Sequence, residues 1–73
     1  MVIECSNYRV DQLGTTFVII INSILKKQTP GQALAEALEK VYELAAQQQL
    51  EILQVITLTW ERLEAVIRTK QKS

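Results

Sequence analysis

The sequence contains no histidine, one cysteine (Cys5), two glycines and one proline, and aromatic residues make up only 5% of it. Each shortage removes a class of chemistry. Without histidine there is neither a Ser-His-Asp triad nor a histidine-bearing zinc site. One cysteine builds no intrachain disulfide framework, and Gly14 and Gly31 are too few to shape a glycine-rich phosphate cradle. An excess of positive charge is missing too, since eight Lys and Arg balance eight Asp and Glu. A grip on nucleic acid or on an anionic membrane, both of which need such an excess, is therefore not expected. The longest apolar run, Phe17 to Ile21, falls far short of the roughly 20 residues that cross a bilayer. Met1 to Tyr8 lack the basic start and apolar segment of a secretory signal. These absences predict a cytoplasmic protein with no cofactor, no metal and no membrane span, in which Cys5 is an incidental reduced thiol.

What is present is 73 residues, 48% of them apolar, enough for one small folded unit. The clearest local signal is Thr29-Pro30-Gly31-Gln32. It sets a Thr N-cap, a Pro at the first helical position and a Gln at the third, where its amide can return the capping bond. Beyond Gly31 there is no glycine or proline, and Ala, Leu, Glu, Gln and Lys dominate. At about 100° per residue, Leu34, Leu38, Val41, Ala45, Ile52, Ile56, Leu63 and Ile67 share one direction on both sides of Gln47-Gln48-Gln49. Their spacing averages about 3.67 residues. This phase predicts a single long helix over about 30–70 rather than two helices broken at the glutamines.

The first third is more ambiguous. Thr15 to Ile21 is β-branched and compatible with a buried strand, but helical spacing gathers Val10, Leu13, Phe17, Ile20, Ile21 and Ile24 on one broad face. The reading that follows is a helix over about 7–27, capped by Ser6 or Asn7, with Lys26 and Lys27 in its last turn. Residues 1–6 form an N-terminal extension and 71–73 a tail.

The fold class expected from this pattern is all-α, a helical hairpin with a short first helix and a long second one. A first helix of about 21 residues reaches only halfway along the second. Ile52, Val55, Ile56, Trp60, Leu63, Val66 and Ile67 are then left as a dimer interface, covered by a second copy in an antiparallel four-helix bundle. Gln48 and Gln49 would meet at the two-fold axis and fix register.

For function, Trp60 with Arg62 beside it is the first candidate for contact with another protein. Ile19 is the second, because it points away from the expected face of the first helix. Glu36, Glu39 and Glu43 lie on the solvated side of the second helix, where nothing shifts a carboxyl into a catalytic range. The expected function is a non-enzymatic homodimer acting as an adaptor or regulator on an unidentified protein partner. The alternative is a regulatory RNA- or DNA-binding dimer using the basic end at Arg68, Lys70 and Lys72.

Overall fold

Between Leu50 and Gln71 the β-branched residues Ile52, Val55, Ile56, Thr57, Val66, Ile67 and Thr69 crowd together, whereas the stretch from Pro30 to Gln47 holds only Val41. Branching at Cβ stiffens a side chain against the preceding helical turn and suits it to a pleated surface. The backbone divides along that change of composition. A computed structural model, which describes residues 1–58 and 64–72, shows strands β1 (Val2–Glu4), β2 (Tyr8–Leu13) and β3 (Thr16–Ile21), helix α1 (Pro30–Gln47), then β4 (Leu50–Leu58) and β5 (Glu64–Gln71).

The five strands form one antiparallel sheet in the order β1-β2-β3-β5-β4. Since β3 and β4 both run antiparallel to β5, they are parallel to each other, and α1 is the crossover between them with β5 inserted in the gap. The helix lies on one face. Ala33, Ala37, Val41, Leu44 and Ala45 close over Tyr8, Val10, Phe17, Ile19, Ile21, Ala65 and Ile67, with Leu50 completing the core. Ala33 and Ala37 are fully buried, and such small side chains let helix and sheet backbones approach closely.

Several local features match the sequence. Thr29 is the N-cap of α1, its hydroxyl accepts from the Gln32 N–H at 3.2 Å, and the Gln32 side chain accepts from the Thr29 N–H at 3.0 Å. Gly14 opens the two-residue turn between β2 and β3 with φ +63. A residue with a Cβ is strained in that conformation, and Gly at the first central position is the preference of a type II′ hairpin.

The all-α hairpin and the four-helix bundle are not what forms. The predicted helix over about 7–27 is instead a hairpin of β2 and β3 followed by a loop. The alternation in β3 shows why: Phe17, Ile19 and Ile21 are buried while Val18 and Ile20 are half-buried, a period of two rather than 3.6. Leu13 and Ile24, assigned to the buried face of that helix, are 70% and 82% exposed.

The predicted long helix over about 30–70 stops at Gln47. Gln48 caps it through backbone bonds to Leu44 and Ala46, and Gln49 adopts a left-handed φ of 58. Gln48 meets a residue of its own chain, Gln12, through a reciprocal pair of amide bonds at 2.6 and 2.8 Å. The residues that share a helical phase beyond the glutamines do not share one face of the sheet. A bulge at Leu53 shifts the register between Ile52 and Gln54, so Ile52 and Val55, three apart, point to the same side of the sheet. Ile56, which shares the helical phase of Ile52, is left on the opposite side.

Candidate functional site

Directly paired residues of neighbouring strands share a face, so the register maps the side of the sheet away from α1. One row runs Val2, Asp11, Val18, Val66, Ile56 across β1, β2, β3, β5 and β4, and the next runs Glu4, Arg9, Ile20, Glu64. A third row holds Leu13, Thr16, Arg68 and Gln54. Val18, Ile20, Ile56 and Val66 form an apolar centre, each half-buried by its neighbours in the sheet. Helix α1 lies on the opposite face, and no second described element remains to cover this one.

Charge frames the centre in mixed signs. Arg9 donates to Asp11 at 3.0 Å and lies 3.9 Å from Glu4. The hydrogen bond it donates to Asp11, reinforced by the carboxylate's charge, raises the Arg9 guanidinium above its ordinary value. Lys70 lies 3.6 Å from Glu51. These pairs are solvent-exposed and contribute little to stability. They tell more about which surface complements this one than about stability.

Of the residues singled out in the sequence as an interface, Ile56 and Val66 come together at the centre of this open face. The others separate. Ile67 is fully buried beneath α1, and Ile52 packs against the same core. Val55 lies on the helix side and is 39% exposed. Trp60, Arg62 and Leu63 lie outside the described residues. Ile19, expected to point outward, has no exposed surface at all, since its β3 position places it between the sheet and α1. Val18 and Ile20 were missed as surface residues because a helical period assigns them differently; strict alternation through Thr16 to Ile21 was the signal that finds them.

A second concavity runs beside α1. Tyr8, Glu36, Glu39, Lys40, Tyr42 and Glu43 line a groove of about 660 Å³, in which Lys40 and Glu43 are 3.9 Å apart. At its head Asn7 is buried and tightly held: its amide donates to the Lys26 carbonyl at 3.0 Å and to Gln28 at 2.7 Å, and its oxygen accepts from the Lys26 N–H at 2.8 Å. Tyr8, also buried, has its hydroxyl pushed well above the usual tyrosine value of 10.0, first by burial, then by its hydrogen bond and interaction with Cys5 and the negative charges of Glu36 and Glu43. No group of three or more potential metal ligands occurs among the described residues.

The Tyr8 shift has a testable sign. Above pH 10 the unfolded chain loses the phenolic proton while the folded chain keeps it, so the folded state binds more protons and stability falls as pH rises, by about 1.4 kcal/mol per unit. Urea midpoints measured from pH 9 to 11 should drop more steeply for the wild type than for Tyr8→Phe. Equal slopes would show that the hydroxyl titrates normally in the fold.

No protein family, curated protein or solved structure matches this chain. Its function is therefore argued from the site alone. No helix among the described residues is long and apolar enough to cross a membrane.

Proposed function

We propose that this chain is a small non-enzymatic adaptor or regulator that acts through protein–protein contact and works as a homodimer in the cytoplasm. The observation that carries the reading is the open sheet face. Val18, Ile20, Ile56 and Val66 keep apolar area in water, and burying such area is favourable by about 25 cal/mol per Å². A five-stranded sheet with one covered face offers a broad, preformed platform, and the open face here is apolar at its centre and charged around it, the anatomy of a protein contact surface.

The nucleic-acid alternative draws less support. Arg68 and Lys70 do share the open face, two residues apart on β5, but Lys70 is engaged with Glu51 and the face as a whole mixes both signs. Phosphate binding relies on clustered cations with few neighbouring carboxylates. Single-strand binders add aromatic stacking platforms, and the described residues of this face include none.

The reading is tested by isolating the chain, tagged at its native locus, and weighing its complexes by native mass spectrometry. Species containing two copies of the chain with one other protein in fixed ratio are expected. Recovery of the chain bound only to RNA or DNA, or only as a single copy, would overturn the proposal.

A further inference from the structure

We infer that the occupant of the open sheet face is a second copy of this chain, packed face to face about a two-fold axis that runs parallel to the strands above β3. The inference rests on the homodimer reading and deepens it by naming the surface and the register. Charge complementarity selects this arrangement. Rotation about that axis exchanges the columns on either side of β3, so β2 of one copy faces β5 of the other while each row is kept. Arg9 of one copy then faces Glu64 of the second, and the symmetry repeats the contact. Asp11, one row away, faces Val66 with Arg68 diagonal to it on one side and Glu64 on the other. Val18 meets Val18, Ile20 meets Ile20, and Val2 on β1, more than half exposed in the single chain, covers Ile56 on β4.

One competing orientation fails on the same residues. An axis perpendicular to the strands through the Val18 row keeps each column and inverts the rows, which sets Asp11 directly against Asp11. Like charges placed opposite one another at an interface strongly disfavour it.

Geometry allows the first arrangement. Stacked sheets lie about 10 Å apart with their strands rotated by about 30°. One strand away from the axis, that rotation displaces facing residues by only about 2–3 Å, well within reach of an arginine side chain. Size sets the strength. Five strands at about 4.8 Å spacing and five residues at about 3.3 Å each give roughly 400 Å² per face. The two faces together stay under the 1,200 Å² or so of a standard interface, which corresponds to a concentration-dependent dimer rather than a permanent one.

The test is sedimentation of the full chain across a dilution series from about 100 µM downward. The wild type should dimerise, and Val18→Lys should remain folded by circular dichroism yet sediment as a monomer. Arg9→Glu and Glu64→Arg should each weaken the dimer by about 10- to 100-fold, because each places two like-charge contacts in the interface, and R9E combined with E64R should restore it to within about threefold. A dimer that persists in Val18→Lys, or a double swap no better than the single ones, overturns the face-to-face arrangement and leaves the homodimer reading standing. A wild-type chain that stays monomeric throughout overturns both.

Discussion

Replacing Ile19 with lysine should unfold the chain, while the same replacement one residue earlier, Val18→Lys, should leave it folded. Ile19 sits between the sheet and α1 with no exposed surface. A lysine there must bury an unpaired ammonium or tear the helix from the sheet, a change of the kind that exceeds about 4 kcal/mol. A chain of this length is stabilised by only about 4–11 kcal/mol in total. Val18 points the other way, half-buried on the open face and directly paired with Asp11, so a lysine there reaches water and gains an acidic neighbour. Far-ultraviolet circular dichroism and urea titration of both variants decide the matter. A folded Ile19→Lys protein beside an unfolded Val18→Lys protein would mean that the two faces of β3 have been assigned the wrong way round.

The second large effect is expected at Phe17. Its ring is the largest fully buried side chain among the described residues, paired with Ile67 across β3 and β5. Phe17→Ala removes the transfer energy of the ring and leaves a cavity that the flanking strands, hydrogen-bonded on both sides, cannot collapse into. The loss should be about 3–5 kcal/mol. Since β3 is the strand that joins the β1-β2 side of the sheet to β5 and β4, the loss should appear as one cooperative transition at lower urea with an unchanged slope. A midpoint within error of the wild type would show that Phe17 does not organise the core.

Parts of this architecture can be read from residues, and parts are disguised by them. Thr29-Pro30-Gly31-Gln32 announces its helix because a capping box depends only on neighbours in the chain. The Ala- and Leu-rich segment after it is helical for the same local reason. The strands depend on partners far away: Thr16 lies beside Arg68 and Ile20 beside Glu64, and no window of sequence contains both members of either pair. Two signals were nevertheless present. Leu13-Gly14-Thr15-Thr16 places a Gly-led two-residue turn between apolar segments, and the β-branched content rises sharply after Gln49. They were outweighed by an apparent helical phase that runs through Ile52 and Ile56, which the sheet places on opposite faces. For the open face, Ile56 and Val66, read in the sequence as part of a dimer interface on a helical stripe, lie at its centre. Ile19 was misplaced because a helical period sets it opposite Phe17, whereas the period of two in β3 puts both on the buried face.

The insertion of β5 between β3 and β4 also dictates when the fold can close. During synthesis the hairpin of β2 and β3 and the helix emerge first, but β4 has nothing to bond until β5 has been made, because it touches β3 only through that later strand. Until then the nascent chain carries the bare edge of β3 and a core without Ala65 and Ile67. Closing the ring of contacts joins residues about fifty positions apart, a slow step compared with forming a helix or a hairpin. The interval in which this protein is most open to misassociation, or to a chaperone, is therefore the one that precedes the arrival of its innermost late strand.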